Sequence, residues 1–441
     1  MSGHQPGTVP PARVVAPFLV TAPLGLALAG SALLFAAPET LAGPSTPALL
    51  AAVHAVILGW LTLSIMGATL QLLPTVLEGR QPIGVLAQAA FALLAGGVLL
   101  LVSSFAAWRP PLLAGGALLA VAGVSTYLVA AARPLISARA TSPELTGLRL
   151  AHLLLLLTVL AGLTWAFALH FGWFPVTPGL VAAHAHLGLI GWLGVAISGV
   201  TYRLLPMFAL IRGPVPRFRS AFPSVFFALA LLAFPVHAAE LPVAARFGFE
   251  ATLALAASAW LADVCSLYRH RPRRKLGLYG TATVASFWSL ALALLCAPVA
   301  VLTSPSGHPG QSAVTIACGF LLLGGWAGST LIANSFKIVP FLAWYHRFAP
   351  LAGRQSTPGT ADLYPHWLAV SAYAALLCGT ILGALAALLA LLPLLRAAGA
   401  AWLVAGFSAS AALAATFITR PAAPSSEPLT SAPSGPRPAQ R

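Results

Sequence analysis

Eleven histidines stand in a chain of 441 residues that has only eight acidic ones, and the spacing of three of them suggests chemistry. His54 precedes Trp60 by six positions, His186 precedes Trp192 by six, and His184 lies two positions before His186. Neutral imidazole is a ligand for heme iron and suits copper. The bland alternative is a neutral ring that bridges two helices by hydrogen bonds. On a helix, positions 184 and 186 point about 200° apart. One therefore faces a centre and the other a second site or a partner group.

The composition decides what must position these rings. Hydrophobic residues make up 59% of the chain and charged residues 7%, against about 25% charged in a soluble protein. A chain so poor in charge cannot coat a water-soluble surface, which excludes a cytosolic enzyme, a secreted disulfide scaffold and a disordered chain. The 23 basic residues give a net charge of +15, but they lie between long apolar runs and form no single patch, so no nucleic-acid partner is expected. The long continuous runs also exclude a β-barrel. The fold class is an all-α polytopic membrane protein whose partner is the lipid bilayer. Cys265, Cys296, Cys318 and Cys378 fall inside apolar runs and form no CxxC pair, so they read as buried thiols.

A helix needs about 20 apolar residues to cross the hydrocarbon core. Twelve runs qualify, near 16–37, 47–76, 83–106, 110–132, 148–171, 178–209, 220–239, 244–268, 278–302, 311–344, 365–392 and 398–419. With the N-terminus inside, the inside loops hold Arg80, Arg133, Arg139, Arg149, Arg212, Arg217, Arg219, the run from Arg269 to Lys275, Arg347 and Arg354. The outside loops hold only Arg109, Arg246 and Arg396. This bias places both termini in the cytoplasm, as in a bacterial inner membrane, and the basic excess reads as topology. Residues 1–15 form a cytoplasmic segment without a signal peptide, 16–420 the membrane domain and 421–441 a disordered cytoplasmic tail.

The second, sixth and tenth runs repeat one pattern. Gly precedes Trp60, Trp192 and Trp326, and Pro74, Pro206 and Pro340 each follow that Trp by fourteen residues. Gly67 and Gly199 follow by seven, where the tenth run has Ala333; Phe320 stands where the first two copies have His54 and His186. Copies four spans apart imply three four-helix units around a pseudo-threefold axis. Packing accounts for the small residues and the prolines, but not for the histidines. Both repeat histidines lie roughly 10 Å below the outer surface, where an ionisable group is costly and marks a functional site. His54 and His186 are therefore expected to converge on one shared centre as the candidate heme ligands. His184 and Cys318, each eight residues before its Trp, are the candidate copper ligands.

The remaining polar residues read more plainly. His170 and His237 end their runs at the outer face and read first as interfacial residues, with ligation or the lining of an entrance as the alternatives, and His308 lies in a solvated loop. His4, His270 and His346 are surface residues. His152 and His366 begin spans and read as solvated helix ends. Arg203 and Lys337 snorkel to the inner interface, Asp263 pairs with the run at 269–275, and Glu250 pairs with Arg246 one turn away. No chain of intramembrane acids builds a proton pathway.

Twelve spans with outer-half histidines in the second and sixth resemble subunit I of the heme–copper oxidase superfamily, which includes the nitric oxide reductases. The string from Trp60 to Pro74, with Met66-Gly67-Ala68-Thr69 and Leu72-Leu73-Pro74, is similar to the second helix of the reductase branch. The resemblance implies a low-spin heme ligand at His54 and a copper ligand at His184 or His186. It also implies a redox partner protein or quinol as electron donor. The family's two histidines on the tenth helix are missing, and His237 stands alone where the family has a pair. The expectation is a divergent subunit-I-like protein that binds heme, and copper with it, for electron transfer or gas-ligand chemistry, without a complete oxygen-reducing pump. The competing expectations are a copper-handling protein and a transporter or structural subunit without heme.

Overall fold

In hydrocarbon no water satisfies a bare N–H or C=O, so each apolar run must close its own hydrogen bonds as a helix. The computed structural model describes residues 9–76, 80–138, 142–303 and 313–418, and it places a helix at every expected run. These are α1 (Ala12–Leu34), α2 (Pro47–Thr75), α3 (Gly84–Ala107), α4 (Pro110–Ser137), α5 (Pro143–Phe171) and α6 (Pro178–Ala209). They continue with α7 (Arg217–Ala238), α8 (Val243–Arg269), α9 (Gly277–Thr303), α10 (Ala313–Arg347), α11 (His366–Leu389) and α12 (Leu392–Ile418). There is no β-strand among the described residues. The segments around 1–8 and 419–441, with His4 and His308, lie outside the described residues, and so does Arg139.

Burial sorts the helices. The most apolar windows of α2 and α10 are 72% and 78% buried inside the protein, and that of α8 only 22%. The repeat helices α2 and α10 thus form the interior and α8 the rim. The rim is apolar too: Leu255, Leu295 and Ile136 are exposed, each by more than 70%. A greasy perimeter of this extent is stable against lipid and not against water.

Close approach of helix backbones supplies much of the packing. A Cβ at Gly399 in α12 would sit 2.5 Å from the Leu34 nitrogen and 2.6 Å from the Gly30 carbonyl oxygen of α1. Only glycine permits that contact, by which the last helix closes on the first.

The three tryptophans of the repeat are buried at the junction of α2, α6 and α10. The indole N–H of Trp192 donates to Thr62 at 2.8 Å, and a Cβ at Gly328 would sit 2.8 Å from the Trp60 ring. In both cases the tryptophan of one helix meets the position two residues after the tryptophan of another. Further along the three helices, past the tryptophans, lies a cavity of about 70 Å³. Ile65, Ile197 and Leu331, each five residues after its Trp, line it, as do Leu72, Leu204 and Ile338, each twelve after. The three helices therefore offer the same register to one cavity.

Candidate functional site

The helices that carry the repeat depart from α geometry at one place. Residues Ala55–Thr62 in α2, Leu187–Gly194 in α6 and Leu321–Gly328 in α10 are π-helical. Each segment runs from five residues before the tryptophan to two after it. A π turn widens the helix and is frequent at functional sites. His54, His186 and Phe320 are the residues immediately before the three segments.

His54 and His186 are held alike. His54 Nδ1 lies 2.8 Å from the Leu50 carbonyl oxygen, and His186 Nδ1 lies 2.8 Å from that of Ala182. A carbonyl only accepts, so Nδ1 carries the hydrogen and donates it in both rings. Nε2 is then the nitrogen left for a partner. Phe320, the third repeat position, packs its ring on Trp402 at 5.1 Å between centroids and offers no ligand.

The two histidines have different neighbours. The ring of His54 lies 6.4 Å from that of His184 and 4.6 Å from Phe105. His184 is wedged against the edge of Trp165 at 4.7 Å and over Gly162, where a Cβ would approach its Cε1 to 3.1 Å. Its Nδ1 is buried without a hydrogen-bond partner. His186 instead stacks on His237 of α7 at 4.5 Å, and its Nε2 lies 2.9 Å from Oε1 of Glu250 in α8. His237 Nε2 lies 3.2 Å from the same oxygen, off the hydrogen-bonding direction. The three side chains are 10–19% exposed, and Phe249 closes one side against both rings. Their ligand atoms all lie within 4.8 Å of one another.

A single centre shared by His54 and His186 is thus replaced by two neighbourhoods: His54 with His184, and His186 with His237 and Glu250. The near-opposite directions of His184 and His186 on α6 account for the split. Cys318 joins neither. Its thiol lies 3.9 Å from the Ala293 carbonyl and beside Cys296 in α9.

Several sequence expectations are corrected. Glu250 does not pair with Arg246; two imidazoles reach it across the helix interface. His237 is a buried member of that cluster and not an interfacial residue. Asp263 binds Arg219 at 2.8 Å and accepts from Tyr202 at 2.8 Å. Arg269, six residues on, is about 240° round the helix from Asp263. His152 is 4% exposed because α5 begins five residues earlier than its apolar run, which sets His152 well inside the helix. It lies 2.9 Å from the Tyr127 hydroxyl, and its Nδ1 faces the Leu148 carbonyl at 2.5 Å. His170 and His366 are exposed, as expected. Neither Glu250 nor His237 carries a repeat signature; only helix packing brings them to His186.

The His186–His237–Glu250 set has the donor chemistry of a two-histidine, one-carboxylate site, which suits zinc, iron or copper. With Nδ1–H given to Ala182, His186 Nε2 can face Glu250 in two ways: as a second N–H in an imidazolium–carboxylate pair, or as a lone pair with a cation between them. His54 and His184 fit a different geometry. Their rings lie 6.4 Å apart with planes 21° from parallel, and the buried nitrogen of His184 left without a partner is Nδ1. The chain matches no protein-family model and no curated protein sequence.

Proposed function

We propose that this integral membrane protein is a redox protein of the heme–copper oxidase subunit I type. Heme would be held at His54 with His184 facing it, and a copper or iron ion at His186, His237 and Glu250. Three four-helix units would surround the cavity between α2, α6 and α10, with both termini on the basic, cytoplasmic side of a bacterial inner membrane.

One observation carries the reading. The two repeat histidines each give Nδ1–H to the carbonyl four residues back, at 2.8 Å. Metal-ligating histidines do this: the outer N–H bond fixes the tautomer and presents Nε2 to the metal. His152 and His270 make the same bond, to Leu148 and Ser266, so what sets His54 and His186 apart is the repeat-equivalent position that each holds just before a π segment.

Bound iron in a porphyrin would supply one-electron chemistry or a gas-ligand position. The chain's own groups do the rest. Leu50 and Ala182 orient the imidazoles. Phe105, Trp165 and Phe249 exclude water. Glu250 brings negative charge beside a cation. The missing ligand on α10, where Phe320 packs on Trp402, argues for electron transfer or ligand binding in place of a full oxygen-reducing cycle.

The 2.9 Å contact between His186 and Glu250 also favours a second reading, an imidazolium–carboxylate pair without metal in a structural subunit. A pyridine hemochrome assay with elemental analysis on protein purified from heme-replete, copper-replete membranes separates the two. The redox reading expects a Soret band and near-stoichiometric metal. A monodisperse protein with neither rejects it.

A further inference from the structure

Asn334 of α10 stands in the wall of the cavity past the three tryptophans, and its amide is only half used. Its Nδ2 donates to the Thr330 carbonyl oxygen at 2.8 Å. A carbonyl only accepts, so that bond fixes which end of the amide is nitrogen. The other end, Oδ1, is buried and has no hydrogen-bond partner among the described residues. An acceptor left bare in a low-dielectric interior is costly.

The neighbouring wall groups cannot supply the hydrogen that Oδ1 lacks. Thr201 of α6 donates to the Ile197 carbonyl at 2.7 Å, and Thr283 of α9 to that of Tyr279 at 2.8 Å. Thr330 donates to the Trp326 carbonyl at 2.8 Å. That leaves Ser286 as the donor in its own 2.8 Å contact with Thr330. The indole N–H of Trp260 is turned to the Ser198 carbonyl at 3.4 Å. A hydroxyl has one hydrogen and two lone pairs, so Thr201, Thr283 and Ser286 keep acceptor capacity and no free hydrogen.

A guest of this cavity must therefore bring hydrogens. An apolar guest leaves Oδ1 unpaired. A cation enters without a counter-charge, because no carboxylate lines the cavity, and a bare charge among membrane helices is expensive. Size sets the other limit. The cavity measures about 70 Å³, and a water molecule takes about 30 Å³ of the liquid. A buried water also needs two to four polar partners, which α6, α9 and α10 offer.

We propose that the cavity is a water-binding site. It holds one or two waters, the first of which donates one hydrogen to Asn334 Oδ1 and the other to a hydroxyl oxygen of Thr201, Thr283 or Ser286. The site lies where the three repeat helices meet in one register, and it is independent of any heme or metal ion at the histidines.

An electron cryomicroscopy map of the full-length protein, at a resolution that shows ordered water, tests it. The wild type should have a peak about 2.7–3.2 Å from Asn334 Oδ1. Asn334→Leu removes the acceptor, and Ala68→Leu fills the space with Asn334 intact; both should lose the peak. Thermal unfolding reads the same site by its sign. Replacing a dry, unpaired acceptor with leucine raises Tm, whereas replacing a hydrated one does not, so Asn334→Leu should unfold no higher than the wild type. Xenon, which enters dry apolar cavities, should not bind here. A map with ordered water elsewhere in the interior and none against Asn334, a peak that persists in Asn334→Leu, a raised Tm in that variant, or xenon uptake that Ala68→Leu abolishes overturns the proposal. Should the variants fail to fold, the wild-type map decides alone.

Discussion

Replacing Glu250 with alanine is expected to abolish binding of the ion proposed at His186, His237 and Glu250. Glu250 is the only carboxylate in the described three-ligand cluster, and its Oε1 lies 2.9 Å from His186 and 3.2 Å from His237. Loss of even an outer-shell partner lowers metal affinity on the order of 10–100-fold, so loss of this ligand should lower it at least that much. Elemental analysis of wild-type and Glu250→Ala protein at matched heme content measures it. Glu250→Gln separates charge from shape. The amide keeps the volume and one acceptor oxygen but not the negative charge, so the ion should be lost there as well. If instead a proton sits between His186 and Glu250, metal content is low in the wild type and does not respond. Truncation then acts on stability, because breaking a buried ion pair costs about 3–5 kcal/mol, and thermal unfolding reports that loss.

Substituting His54 and His186 separately should produce opposite defects. His54→Ala removes a ring whose neighbours are His184 and Phe105, so the Soret absorbance per mole of protein should fall by tenfold or more while the metal at His186 stays. His186→Ala should remove that metal and leave the Soret band near wild-type strength. Optical spectra and elemental analysis on the same samples decide the matter. A shared centre would lose both signals in both variants, contrary to two separate neighbourhoods.

The fold was legible because its rules are one-dimensional. Twelve apolar runs become twelve helices, and even the short break at Glu240 and Pro242 between α7 and α8 holds, with Glu240 turning the chain at φ 49°. The repeat also carried more than its residues. Its Gly-Trp spacing marks three π-helical segments in one register and three walls of one cavity. The π turns themselves were not legible, since nothing in the residue types separates them from α-helix. The candidate site was legible only where it lies on the repeat. His54, His184 and His186 are singled out by spacing, but their partners are fixed by helix neighbours. Glu250 had a plausible basic partner one turn away, and no local rule says that a carboxylate on α8 meets rings from α6 and α7. His152 misled for another reason: α5 begins at Pro143, outside its apolar run, which moved a supposed helix end into the interior.

Everything functional here depends on whether electron-dense groups lie between these side chains. An electron cryomicroscopy map of the protein purified from heme-replete, copper-replete membranes answers that directly. The account predicts planar density against His54 and His184, and a separate compact peak bounded by His186, His237 and Glu250. A well-resolved map in which His186 and Glu250 are in direct contact, with protein alone filling the space beside His54, would contradict it.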